Sequence, residues 1–134
     1  MVGIVVVTHG KMAEGLLEAV EMIVGEQEQL AAVGLFEMEA VEDLMGKIEA
    51  ALAAVKREAG VLLLVDLPGA SPFNASARLA MQDESIDVVT GVNLPMLAEL
   101  LVMRDGKNLG ELVALAKDSG ITGIKSLADI LNRS

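Results

Sequence analysis

The 134-residue chain has no cysteine, tryptophan or tyrosine, two phenylalanines and one histidine. Without cysteine there is no disulfide, no thiol nucleophile and no cysteine-bound zinc or iron–sulfur centre, a pattern that fits a reducing compartment. A single histidine excludes a His-rich metal site, and neither a metal nor a cofactor is expected. Cations are also scarce, with ten Lys and Arg against twenty Asp and Glu, a formal charge of −10 and an isoelectric point near 4.4. Binding a phosphate backbone needs clustered cations, so no nucleic-acid partner is expected, whereas solubility and basic protein partners are favoured. Long apolar runs are absent as well. Val61-Leu62-Leu63-Leu64-Val65 falls far short of the ~20 residues of a spanning helix, and Met1-Val2-Gly3-Ile4 lacks the basic start of a secretory signal. A soluble, cytoplasmic protein is the expectation.

What is present is aliphatic: 53% of residues are hydrophobic and the mean hydropathy is +0.54. That is enough for a core of Val, Leu, Ile, Ala and Met in one domain over residues 1–134. The eight Met are scattered at mostly apolar helical positions and read as core filling rather than as a Met-rich binding surface. Strand-like runs recur at Val2 to Thr8, Leu30 to Phe36, Gly60 to Val65 and Ile86 to Val92. Between them lie helical patterns. The first carries the stripe Met12, Leu16, Val20 and Ile23 and ends near Gly25; the second runs from Val41 through Val55, with Lys56 and Arg57 in its last turn. A third is opened by Ser71 as cap and Pro72 at the first helical position, a fourth by Leu94-Pro95, and a fifth is capped by Asn108 and runs to Gly120. Ile121 to Ser126 reads as a short edge strand and Ala128 to Leu131 as a last partial helix. Strands alternating with helices at this spacing predict an α/β fold: a doubly wound, mainly parallel sheet in the order 2-1-3-4 with helices on both faces.

His9 stands where the apolar strand runs out into Thr8-His9-Gly10, and Asp66 ends the apolar run of the third strand. In the order 2-1-3-4 these strands are neighbours, and the crevice beyond their carboxyl ends is where doubly wound sheets collect ligands. A carboxylate on one imidazole nitrogen fixes the tautomer and leaves the other nitrogen free as a nucleophile. Beyond Asp66, Gly69 lets backbone approach a ligand, and the Ser71 hydroxyl and the N–H groups of the following turn, including those of Phe73 and Asn74, offer an anion site. Pro72 contributes no N–H. Each residue taken alone has a plainer explanation: Asp66 caps a turn, Ser71 caps a helix, Gly69 permits a bend and Asn74 is a surface polar group. Together they point to a phosphohistidine site, with His9, Asp66 and Ser71 as its catalytic residues and Gly69, Ser71, Phe73 and Asn74 around the phosphate.

The segments Ile4-Val5-Val6-Val7-Thr8-His9-Gly10, Asp66-Leu67-Pro68-Gly69-Ala70-Ser71-Pro72-Phe73-Asn74 and Thr90-Gly91-Val92-Asn93-Leu94-Pro95-Met96-Leu97 resemble, in order and spacing, the IIA component of the mannose-type bacterial sugar phosphotransferase system. The resemblance implies that His9 accepts a phosphoryl group from the histidine-containing phosphocarrier protein HPr and passes it to a IIB component. It implies that Asp66 orients the ring through Nδ1, leaving Nε2 to be phosphorylated, and that Ser71 contacts the phosphoryl oxygens. It further implies a homodimer that exchanges the C-terminal edge strand around Ile121 to Ser126, with the membrane reached only through other transporter components. No fused IIB domain is expected. Pro68 stands where the family commonly has a bulky residue, and Ala70 where it has a second glycine. Proline stiffens the loop and alanine restricts positive φ, so these departures bear on loop shape and partner choice more than on chemistry.

Two other phosphate chemistries fit less well. A histidine phosphatase or mutase resembles Arg-His-Gly with further Arg and His, whereas residue 8 is Thr and there is no second histidine; a receiver domain needs an acid pair after its first strand. A phosphotransfer subunit serving dihydroxyacetone kinase, and a non-catalytic regulatory module on the same scaffold, are the remaining alternatives.

Overall fold

The structure is a computed structural model and describes residues 1–55 and 57–132. Its elements follow in the order β1 (Gly3–His9), α1 (Met12–Val24), β2 (Leu30–Leu35), α2 (Val41–Ala54), a 3-10 turn (Arg57–Ala59), β3 (Val61–Val65), α3 (Ser71–Ala80), β4 (Ile86–Val89), α4 (Leu94–Met103), α5 (Leu109–Thr122) and α6 (Leu127–Ile130). The four strands form one parallel sheet in the order β2-β1-β3-β4, as the alternation of patterns predicts.

β3 throughout, and β1 as far as Val7, are apolar without a break because helices cover both of their faces. Successive side chains alternate between those faces. Ile4 and Val6 of β1 with Leu62 and Leu64 of β3 meet Val20 of α1, Leu97 and Leu100 of α4 and Leu112 of α5. Val5 and Val7 with Leu63 and Val65 meet Leu44, Ile48 and Leu52 of α2 and Ala75 of α3 on the other side. Each such aliphatic side chain taken fully from water contributes about 1.5–3 kcal/mol. The two layers therefore hold β1 and β3 rigidly side by side, with Val7 opposite Val65 at the last paired position before the site.

Several expectations are corrected. An edge strand over Ile121 to Ser126 does not form: Ile121 and Thr122 complete α5, the Gly123 N–H closes it onto the Ser119 carbonyl, and Ser126 opens α6 in a reciprocal cap with Asp129. An uninterrupted i→i−4 ladder followed at once by a helix-starting box leaves no extended stretch for a strand. The buried stripe of α1 is displaced from the expected one: Ala13 and Val20 are buried, whereas Met12 and Ile23 face out. Of the eight methionines only Met96 is buried, and six are exposed, so Met does not fill the core. The strand over Ile86 to Val92 stops at Val89, ahead of a turn with Gly91 at φ +76°. Helix α2 ends at Ala54, earlier than expected; Lys56 lies outside the described residues.

The amino end of the sheet is closed by Arg104, 1% exposed, at the end of α4. Its guanidinium donates to the carbonyls of Val2 (3.2 Å), Gln29 (2.9 Å) and Glu28, all at the entry to β1 and β2. Burial pulls its pKa below the usual arginine value, against the opposing charges of Asp105 and Glu28. This cation locks the end of the sheet remote from His9.

Candidate functional site

β1 carries His9 as its last residue, and β3 delivers Asp66 one residue beyond its end. Their side chains meet: His9 Nδ1 lies 2.7 Å from Asp66 Oδ2, and the same oxygen accepts the His9 backbone N–H at 2.9 Å. The other carboxylate oxygen accepts the Leu67 N–H at 2.9 Å. Burial pushes the Asp66 carboxyl up, but the His9 N–H, the imidazole and the Leu67 N–H together outweigh it and hold the group below its ordinary value. Asp66 is thus an acceptor-only carboxylate at neutral pH. Nδ1 must carry the proton of that contact, so in the neutral ring Nε2 is the nitrogen with the free lone pair. The Asp66 side chain is 10% exposed and that of His9 49%, so the anchor is sheltered while the imidazole is half exposed.

The backbone around His9 is fixed by groups that pattern reading passes over. Thr8, fully buried, accepts the Ala13 N–H on its Oγ1 at 2.8 Å and so satisfies a donor in the first turn of α1, whose own cap position, Lys11, supplies no side-chain cap. Its hydroxyl donates to the His9 carbonyl at 3.1 Å. The signal for this role is a lone hydroxyl ending an apolar strand five residues before a helical nitrogen. Gly10 turns the chain with φ +55° and donates its N–H to the Leu35 carbonyl at 2.8 Å.

The loop after Asp66 brings Gly69, Ser71, Phe73 and Asn74 into one turn at the start of α3. Gly69 takes φ +79°, and Ala70 sits at φ −90°, ψ 174° as the cap residue, an ordinary region for alanine. The alanine at position 70 therefore costs this loop nothing. Ser71 is the first helical residue and not the cap, and no side-chain cap is made there. Asn74 is committed to the loop: its N–H goes to the Ala70 carbonyl at 2.9 Å and its Nδ2 to the Gly69 carbonyl at 3.4 Å. The Phe73 ring packs against the α2–α3 core, leaving only its N–H for a ligand. Among the described residues the Ser71 hydroxyl and the N–H groups of Ser71 and Phe73 have no protein partner. Free donors at a helix start are what an anion requires.

On the other side of His9 a hollow of about 360 Å³ is lined by His9, Gly10, Leu35, Phe36 and Glu37. Its wall, the turn from Phe36 to Glu39, was not anticipated among the site residues. Among the described residues no cluster of His, Asp and Glu suited to a metal ion exists, and no helix is long and apolar enough to cross a membrane.

Known proteins share this arrangement of elements. Residues 3–117 match the family model described as "PTS system fructose IIA component". Over 127 residues, 94% of its length, the chain is 45% identical to the mannose-specific EIIAB component of the phosphotransferase system (PTS) of Escherichia coli (strain K12), of which the match covers 39%. It is 37% identical over 113 residues to the fructose-specific EIIA component of Bacillus subtilis (strain 168), covering 84% of this chain and 77% of that one. The crystal structure of a phosphotransferase system component EIIA from Streptococcus agalactiae is similar with a TM-score of 0.87 and 28% identity, over 96% of this chain and 98% of the other. The mannose/sorbose-specific IIA subunit from Enterococcus faecalis gives 0.86 and 28%, over 94% of each. The chain spans about two fifths of the length of the mannose-specific relatives.

Proposed function

The chain belongs to the mannose- and fructose-type IIA family of the bacterial sugar phosphotransferase system, and from that premise we propose that His9 is its phosphoryl-carrying residue, loaded by phospho-HPr and discharged to a IIB component. The observation that carries the assignment is the Asp66 contact with Nδ1 at 2.7 Å, which leaves Nε2 as the nucleophile at the open side of the ring. The Nε2 lone pair attacks phosphorus in line, the N–P bond of the donor phosphohistidine breaks, and its electron pair returns to the donor imidazole. No proton need move at His9 in this step, because the proton stays on Nδ1, donated to Asp66, throughout. The reverse displacement, with the IIB nucleophile as attacker, empties the site.

Such a reaction needs positioning and charge stabilisation more than acid–base chemistry. The rigid ends of β1 and β3 provide the first. For the second, the Ser71 hydroxyl and the N–H groups of Ser71 and Phe73 supply donors to the phosphoryl oxygens, and the α3 dipole favours the negative charge. Asp66, an anion itself, is kept on the far side of the ring from the phosphorus by its bond to Nδ1. Gly69 gives the loop its close approach, and Asn74 holds the Gly69 carbonyl away from the anion. We also propose a homodimer in which Ile121, Ile124, Leu127 and Ile130, exposed in the single chain, pack against a second copy.

The test is labelling by phospho-HPr. Wild type is expected to take up acid-labile, base-stable phosphate and His9→Ala none, with an unchanged circular dichroism spectrum. A His9→Ala protein that is still labelled removes His9 from the pathway.

A further inference from the structure

Lys47 projects from α2 to the turn that walls one side of His9. Its Nζ donates to Glu39 Oε1 at 2.8 Å, lies 2.7 Å from Glu39 Oε2, donates to the Gly34 carbonyl at 3.0 Å, and stands 4.9 Å from the centre of the Phe36 ring. Glu39 in turn accepts the Phe36 N–H on Oε1 at 2.7 Å, and its own N–H returns to the Phe36 carbonyl at 3.2 Å. The Lys47 contact is the main reason the Glu39 carboxyl sits below its ordinary value, followed by the Phe36 N–H. One ammonium thus satisfies an outer carbonyl of the edge strand β2, closes the Phe36–Glu39 turn and fixes the face of the ring. That ring lines both the 360 Å³ hollow holding His9 and a larger one of about 600 Å³ along β2, which Lys47 also lines.

We infer that Lys47 is a positioning residue: through Glu39 and Phe36 it sets the shape of the wall against which a phosphoryl-transfer partner seats at His9. The inference rests on the reading of His9 as phosphoryl acceptor. The Asp66 side of the ring is held independently, by β3 and Leu67, so the nucleophile is aligned without Lys47 while the docking wall is not. Loss of the ammonium should therefore weaken encounter with the donor rather than the transfer step. The side chain makes three contacts to the Phe36–Glu39 turn and a fourth to the Gly34 carbonyl of β2, more than an exposed ion pair kept for solubility would require.

The experiment compares wild type, Lys47→Met, Phe36→Ala and the double variant in phosphoryl transfer from phospho-HPr, with amide hydrogen exchange followed in each protein. Lys47→Met, which keeps the alkyl stem, is expected to raise the KM roughly tenfold with kcat within about twofold, and to speed exchange at the Phe36 amide. The double variant is expected to be no worse than Phe36→Ala, because Lys47 acts through that ring. Lys47→Arg, which keeps charge and donors, should recover much of the loss. Wild-type transfer with an unchanged KM in Lys47→Met, or an additive double variant, overturns the inference alone. A wild type that phospho-HPr does not label overturns the His9 reading and the inference with it.

Discussion

At the scale of single residues, one contact sets the chemistry of the site. Asp66 can orient His9 because its carboxylate is ionised, and it is ionised because three N–H donors outweigh its partial burial. Its folded value lies below the unfolded one of 3.8, so the stability this contact contributes is fully present above that value and is lost as pH falls through the lower folded value. Neutral and mildly acidic solutions should leave the ring orientation intact. In Asp66→Asn the amide keeps the shape but not the charge, and phosphoryl acceptance should slow by roughly 10–100-fold, the usual cost of removing the partner that orients a functional imidazole. Stopped-flow or quench measurement of transfer from phospho-HPr gives the rate; equality with wild type would take Asp66 out of the mechanism. The same variant should lose the part of the acid-unfolding curve that belongs to this carboxylate.

At the scale of elements, β2 and α4 carry constraints that reach the site. A Cβ at Gly34 would collide with the Gly10 carbonyl oxygen, in the turn directly after His9, and would also press on the Phe36 ring at 3.1 Å. Gly34→Ala should cost about 1–3 kcal/mol in denaturant unfolding and shift the His9 ring resonances. Asn93 caps α4 by accepting the Met96 N–H at 3.0 Å and ties α4 to α5 by donating to the Gly120 carbonyl at 3.0 Å. Its replacement by Ala should cost about 1 kcal/mol from the cap alone, read from the same unfolding curves. How far such features are legible in a sequence depends on how local they are. β1 and β3 announce themselves as aliphatic runs, and His9 and Asp66 are visible because each is the first ionisable group at the end of one. Asn108 and the Leu94-Pro95 start are visible because capping chemistry is local. Ser71 misleads by one position, because any residue that can leave the helical region at Ala70 takes the cap. The Lys47–Glu39–Phe36 cluster is hidden, since nothing in its spacing says that α2 folds back over the end of β2. Ile121 to Ser126 misleads because its β-branched residues suit a strand, while an unbroken α5 ladder and the Ser126 box decide for helix.

At the scale of the whole molecule, the two ends of the sheet have different tasks. The amino end is locked by Arg104, whose planar fork reaches three carbonyls at once. Arg104→Ala should lower the unfolding free energy by roughly 2–4 kcal/mol, and Arg104→Lys should not restore it, because a single ammonium cannot span the same carbonyls. Phosphoryl acceptance by the folded fraction should be unaffected, which urea titration and labelling on one sample can check. The carboxyl end is left open, with His9 half exposed, held by Asp66 and beside the Phe36 wall. A locked end and a half-exposed imidazole at the other suit the proposed carrier, which two proteins would reach in turn.

The claim on which everything else depends is that phosphate resides on Nε2 of His9. Wild-type protein loaded by phospho-HPr, mapped by mass spectrometry at neutral to alkaline pH and examined by 15N–31P NMR, tests it most directly. The expected result is one phosphorylated residue, His9, with phosphorus coupled to Nε2. Phosphate on Asp66, Ser71 or any other residue, or on Nδ1 of His9, would contradict it.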